Sequence, residues 1–500
     1  MKILSIYKSI GVVALAATLL VSCSELEFDI PVEPEVALTT GSLDFSNYVA
    51  VGASFTAGVS DNGLFIASQT NSWPNTLASQ FSAAGGGDFN QPYVADNYGG
   101  LLYGGTLIYP PRLYFNGSGP AVLPDVTPTT DVTNVAVGPF NNLGVPGAKS
   151  YHLLAPGYGD LAGVPLGTAN PYFARMASSS SVTLLEEAVS QNPTFFTLSE
   201  MGGNDVLSYS TSGGSGVDQT GNPDVTTYSS VDITDPGVFT ASVTAAVAAL
   251  TANGAKGCLT TVPYVTSLPF FTTVPYNAVP LDAATAGSLN TAFAEYNGGL
   301  QLAGSFGLIT SEEIAARTIV FAAGANAVTL EDEDLTDLSS LGLPNYRQAT
   351  PDDLLVLPSS SFIGTLVDNN PTLINGVSVP LSDQWVLTGT ETQACITAAD
   401  AYNLSVDAIC DQYDLAKVDL RTILEEASQT GIMYDDFMMN TDLVFGGLVS
   451  LDGVHFTARG YALMANAFLE AIDAKYGSNF IEAGQRAYAN NFPVSYPLNL

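Results

Sequence analysis

Short apolar runs of strand-forming residues alternate along this chain with helical patterns of ten or so residues, and that alternation restricts the fold more than any other feature. Tyr48–Val51 is the first run. A helix is expected near Pro74–Phe81, a second near Val182–Ser190 feeding a strand at Phe195–Leu198, and a third near Phe239–Thr251 leading into Cys258–Pro263. Strand and helix in turn imply βαβ units and a parallel sheet covered on both faces, which is an α/β fold. In such sheets ligands bind beyond the carboxyl ends of the strands. The loops that follow each run are therefore where functional residues are to be sought.

The 500 residues, 46% of them apolar, are ample for a large core. Acidic residues outnumber basic ones 48 to 13, a formal charge of −35 that repels nucleic acid and excludes it as an expected partner. Only 12% of residues are charged, about half the usual ~25%, which suits a secreted protein with polar, uncharged surfaces.

The N-terminus agrees with export. Lys2 and Lys8 precede an apolar run from about Ile10 to Val21, the length of a signal-peptide core and short of the ~20 residues of a membrane span. Leu20, Val21, Ser22 and Cys23 resemble the lipobox of bacterial lipoproteins. That resemblance implies a signal peptide over 1–22, a diacylated Cys23 and a lipid anchor in the bacterial cell envelope, at the outer membrane. The acidic, proline-containing stretch 23–44 reads as an extended tether.

Residues Thr390–Tyr413 space apolar side chains as a helix does, which would hold Cys395 and Cys410 roughly 22 Å apart at 1.5 Å per residue, too far for a disulfide. Cysteines spread this widely and only two histidines imply no metal centre, and nothing implies a cofactor. Long Gly-, Pro- and Ser-rich loops are expected around 88–133 and 208–230. From about Phe306 the pattern changes, and a large insertion is expected at about 306–430, with a strand-like run in "YDLAKVDLRTIL". Within it, Glu331, Asp332, Glu333 and Asp334 lack the glycine and ligand spacing of an EF-hand and read as a solvated acidic loop.

Four segments carry candidate chemistry. "VGASFTAG" presents Ser54 in a turn of small residues at the end of the first strand, a way to hold a nucleophile and equally a way to make a turn. "NNLGVPGAKS" places Gly147 where a backbone amide can approach a ligand, and "SEMGGNDVL" places Asn204 just beyond the strand Phe195–Leu198. Backbone and side-chain amides are the donors of an oxyanion hole, although Gly-rich stretches are also ordinary loops. In "SLDGVHFTARG", Asp452 stands three residues before His455, near enough to orient its ring, and Thr457 can cap a helix running to about Ile472. Taken singly, Asp452 is a turn residue and His455 a packing histidine.

Together and in this order, the four segments resemble the sequence blocks of the SGNH hydrolases, the GDSL esterases and lipases. The resemblance covers roughly 45–305 and 430–475 of a domain spanning 45–500. It implies a three-layer α/β/α sandwich of flavodoxin-like type, a Ser54–His455–Asp452 triad, and an oxyanion hole from the Ser54 and Gly147 amides and the Asn204 side chain. Ala53 stands in place of the motif's aspartate, Phe55 in place of its leucine, and Phe456 where a proline often follows the histidine. The larger α/β-hydrolase class needs G-x-S-x-G, and Thr56 occupies its last glycine. The implied activity is hydrolysis of acyl or acetyl esters, of a glycan or a lipid, falling below neutral pH as imidazole protonates. Acyl transfer to a sugar hydroxyl is a second enzymatic option. The alternative from another class is a glycan-binding surface lipoprotein that keeps the hydrolase fold without using it. His152, the other histidine, reads as structural rather than catalytic.

Overall fold

Tyr48–Gly52 (β1) is apolar and β-branched, and all five residues are buried, as a strand covered on both faces requires. In the computed structural model, residues 36–500 are described. The expected leader at 1–22, Cys23 and the expected tether as far as residue 35 lie outside them. Val36 and Ala37 close a unit spanning 1–37, and the main unit is Leu38–Leu500. The last residues assigned to the tether belong to that main unit: Leu43 is buried and the Ser42 N–H donates to the Tyr476 carbonyl at 3.3 Å.

Four further strands complete one sheet: β2 (Asn142–Gly144), β3 (Phe195–Leu198), β4 (Lys256–Thr260) and β5 (Ala416–Val418). Their spatial order is β5-β4-β3-β1-β2, and every pairing is parallel. The protein is thus α/β with a five-stranded parallel sheet. From β1 the chain steps to β2 on one side and then crosses to β3 on the other, pairing Ala50 with both Asn142 and Thr197. That reversal makes β1 the switch point of the sheet, beyond whose carboxyl end a ligand crevice is expected.

The principal helices are α1 (Trp73–Ser82), α2 (Leu184–Ser190), α3 (Gly203–Thr211), α4 (Pro236–Thr251), α5 (Gly389–Tyr413), α6 (Leu420–Gln429) and α7 (Ala458–Tyr476). One group, α3, α4 and α5, packs together, while α7 packs on α1 and against β4 and β5. Capping follows the sequence: Asp235 accepts from the Val238 N–H and Thr457 from the Gly460 N–H. The α1–α7 contact is centred on Trp73, whose ring stacks 4.2 Å from that of Phe468 with 3° between planes. Both are fully buried. Trp73→Ala is expected to cost about 3–5 kcal/mol in urea unfolding, and a loss below about 1 kcal/mol would mean that this stack does not pin the two helices.

The structure differs from the sequence reading in identifiable places. The strand-like run "YDLAKVDLRTIL" is strand only at β5; Asp419 then caps α6, whose Leu420, Leu424 and Ala427 recur at helical spacing and are buried. The 88–133 loop contains two hairpins, Leu101–Tyr103 with Thr106–Tyr109 and Leu113–Phe115 with Pro120–Val122. Ser208, placed at the start of a loop, lies within α3. Cys395 and Cys410 share α5, and both are free and buried, as is Cys258.

A second hydrophobic core draws its buried residues from Val274 to Val386, so it starts and ends earlier than the 306–430 segment marked by composition. Gly389 onward is again part of the main core through α5. Within the second core the acidic run is not wholly solvated. Asp332 is buried and accepts from Arg347 Nε at 2.5 Å, while Arg347 Nη1 and Nη2 hold the two oxygens of Asp353 at 2.6 and 2.8 Å. The cause is local: the hairpin pairing Leu330 with Arg347 delivers a guanidinium to that face.

Candidate active site

Three of the four predicted segments follow directly from adjacent strands β1, β2 and β3. After β1 the chain turns through a single helical turn, Ser54–Ala57, closed by Gly58 at φ 86°. Ser54 is 9% exposed and its hydroxyl forms no hydrogen bond among the described residues. The turn is held by a residue the sequence reading passed over. Glu200, just after β3, accepts from the Ala53 N–H (2.7 Å) and the Thr56 N–H (2.8 Å) with Oε1, and from Thr56 Oγ1 (3.0 Å) with Oε2. A Cβ on Gly52 would lie 2.1 Å from Thr56 Oγ1 and 2.9 Å from Glu200 Oε1, so this approach requires glycine. Glu200 sits at φ 48°, a left-handed conformation costing on the order of 1–3 kcal/mol. Burial pushes its pKa up against the opposing hydrogen bonds from Ser199, Thr56 and Ala53.

After β2, Gly147 adopts φ 81°, and its N–H donates to nothing among the described residues. After β3, Asn204 occupies the first turn of α3 and donates through Nδ2 to the Ala148 carbonyl at 2.9 Å. The neighbouring Asp205, fully buried, laces these loops together: it accepts from the Ser150 N–H (2.9 Å), Ser150 Oγ (2.7 Å) and the Gly202 N–H (3.1 Å). The amide donors of both loops are therefore fixed relative to one another.

The fourth segment brings Asp452 and His455 into contact. Asp452 Oδ2 lies 3.0 Å from His455 Nδ1 and accepts from the Asn62 N–H at 2.7 Å, while Oδ1 accepts from the N–H groups of Val454 and His455, both at 2.8 Å. With Nδ1 facing the carboxylate, Nε2 is the nitrogen left for other work. Burial alone would raise the Asp452 pKa, but the charge of His455 and the bonds from His455 and Val454 bring it down to about 2. The pair thus contributes stability fully present above the unfolded carboxyl value of ~3.9 and lost as pH falls toward 2. A turn with positive φ at Asp61 and Asn62 backs this segment, with Asp61 Oδ1 accepting from the Leu451 N–H at 3.1 Å. Burial lifts the Asp61 pKa to about 7, assisted by the charge of Asp452 and opposed by the Leu451 bond and Arg112.

Ser54, Phe55, Glu200, Asn204 and Val454 line one cavity of about 50 Å³, whose remaining walls are apolar and include Val206, Leu207, Val265 and Leu268. The His455 ring is 5.6 Å from that of Phe55, so histidine and serine are brought to the same edge, without a hydrogen bond between them. Phe55 and Phe456, both departures from the expected motif, pack on each other with centroids 4.8 Å apart. Gly147 instead lines a larger cleft of about 1130 Å³ with Tyr109, Tyr151, His152, Tyr158 and Tyr228. His152 stays out of the Ser54 cavity: its Nδ1 accepts from the Lys149 N–H at 3.0 Å and its ring stacks on Tyr158 at 4.0 Å. Burial and Lys149 lower its pKa to about 3, which makes it a neutral support for the Gly147 loop.

Glu200 and Asp205 were both visible in "SEMGGND", but only their backbone settings and partners distinguish them from loop carboxylates. No protein-family model matches the chain, and neither a curated protein nor a solved structure matches it.

Proposed function

We propose that this protein is a serine ester hydrolase of the SGNH type, with the three-layer arrangement of that family, in which Ser54 is the nucleophile and His455 the acid–base. Asp452 orients the histidine, and the Ser54 and Gly147 amides with the Asn204 side chain stabilise the oxyanion. The observation that carries the reading is the Asp452–His455 contact of 3.0 Å at the sheet edge that also bears Ser54.

The chemistry follows from the roles. Asp452 holds the proton on Nδ1, so Nε2 takes the Ser54 proton as Oγ bonds to the ester carbonyl carbon. The oxyanion is stabilised by donors already oriented before reaction, which is where most of the gain arises. Collapse breaks the C–O bond to the alcohol, which leaves with the proton from Nε2. Water, deprotonated by the same nitrogen, then releases the acid and regenerates Ser54.

The small apolar cavity beside Ser54 suits an acetyl or other short acyl group, and the tyrosine-walled cleft beyond Gly147 suits a polar, uncharged alcohol such as a sugar. In the proposed setting a lipid on Cys23 anchors the enzyme to the bacterial outer membrane. The same cleft favours the second reading, a glycan-binding lipoprotein without catalysis. The test is hydrolysis of p-nitrophenyl acetate, butyrate and octanoate by the chain from Ser24 onward. Acetate should exceed octanoate in kcat/KM by about tenfold or more. Inactivity on every ester would overturn the hydrolase reading in favour of glycan binding.

A further inference from the structure

Three carboxylates from distant segments converge where the second core meets α3 and α5. Glu333 follows the strand Thr329–Glu331, Asp383 opens the short 3-10 turn Asp383–Trp385, and Glu391 lies in the first turn of α5. One oxygen from each lies within 4.8 Å of the others. Oxygens sharing a Ca²⁺ at 2.3–2.6 Å are separated by at most about 5 Å, so these three fit one coordination sphere. No arginine, lysine or histidine among the described residues pairs with any of them. Arg347 is already taken by Asp332 and Asp353.

A separate observation points to a ligand. Glu391 is 6% exposed; its Oε2 accepts from the Thr388 N–H at 2.7 Å and Thr388 Oγ1 at 2.9 Å, but its Oε1 is buried with no partner. A buried carboxylate oxygen left unpaired is costly and rare in a native fold unless an ion or water satisfies it. The fold also makes room for this carboxylate. A Cβ on Gly214, at φ 83°, would fall 1.9 Å from Glu391 Oε1, and one on Gly213 1.9 Å from the Asp383 carbonyl oxygen. Burial, then the neighbouring acids, raises Asp383 to about 6; burial leads again for Glu391, reaching about 7 despite the opposing Thr388 bonds. A bound divalent cation would reverse both shifts.

We infer that Glu333, Asp383 and Glu391 form a Ca²⁺ site that ties the second core to the amino-terminal end of α5. The exposed Glu333 gives the ion a route from solvent, and water completes the hard oxygen shell that Ca²⁺ prefers. The contiguous acids at 331–334 gave no such signal because two of the three ligands lie about fifty residues further along. The site is independent of ester hydrolysis, since α3 contributes Asn204 at the end away from Gly213 and Gly214.

The experiment is calorimetric titration of EDTA-treated protein with CaCl₂ and with MgCl₂ to roughly 5 mM, with melting curves in each. One equivalent of Ca²⁺ should bind and raise Tm, with Mg²⁺ at least about tenfold weaker. Glu333→Gln, on an exposed side chain, and Asp383→Asn, half-buried, should each weaken Ca²⁺ binding about tenfold or more without loss of fold. No saturable binding, equal Mg²⁺ affinity, or binding unchanged in both variants would overturn the assignment.

Discussion

Ser54→Ala should reduce p-nitrophenyl acetate turnover by about 10⁴-fold or more while leaving Tm within a degree or so of the wild type. The two halves of this result rest on different observations. The Ser54 hydroxyl forms no hydrogen bond among the described residues, so its removal breaks no interaction that holds the fold. The turn around it is secured through the Ala53 and Thr56 amides, which alanine at position 54 does not touch. His455→Ala should cost as much activity as Ser54→Ala, and the double variant no more than either, because nucleophile and base act as one unit. Turnover by Ser54→Ala within tenfold of wild type would remove Ser54 from the mechanism. A large loss accompanied by a fall in Tm of many degrees would point instead to a structural serine.

How much of this was legible in the sequence depended on whether the signal was local. β1 and β3 are covered on both faces, so each reads as a mostly apolar run between turn residues, interrupted in β3 only by Thr197. The Asp452–His455 contact spans three residues of one turn, and spacing alone suggests it. By contrast, β2 is three residues, Asn142, Leu143 and Gly144, with no periodicity to detect, yet it forms the sheet edge that presents Gly147. The second core joins the helix Ala283–Ala292 to strands of two or three residues and short turns, so composition located its middle and missed its start near Val274. Buried carboxylates were the least legible. Glu200, Asp205 and Asp61 each look like solvated loop residues until the backbone groups they receive are known. Ala53 illustrates the point: no carboxylate adjoins Ser54 in sequence, and the one that braces its turn comes from just beyond β3.

Glu200 is accordingly where substitution should have the largest effect after the proposed triad. Glu200→Ala leaves the Ala53 N–H, the Thr56 N–H and the Thr56 hydroxyl without their acceptor, and at about 1–3 kcal/mol for each buried orphan the loss should reach about 3–5 kcal/mol after relaxation. Turnover should fall about 10²-fold, because in the proposed mechanism the Ser54 amide donates to the oxyanion only while this turn keeps its shape. Glu200→Gln separates geometry from charge. Its Oε1 can accept both N–H groups as Glu200 Oε1 does, and its Nε2 can donate to Thr56 Oγ1, so activity should stay within a few-fold of wild type. The pH dependence supplies an independent sign. Since burial raises the Glu200 pKa in the fold, its charged form is penalised there relative to the unfolded chain; stability is highest below the unfolded value of ~4.3 and is lost as pH rises through the folded value. Glutamine carries no such penalty, so Glu200→Gln should gain stability relative to wild type as pH rises above about 4.3 when unfolding is followed in urea. If Glu200→Ala kept full turnover, the carboxylate would have no part in holding Ser54, and the strained left-handed backbone at Glu200 would need another explanation.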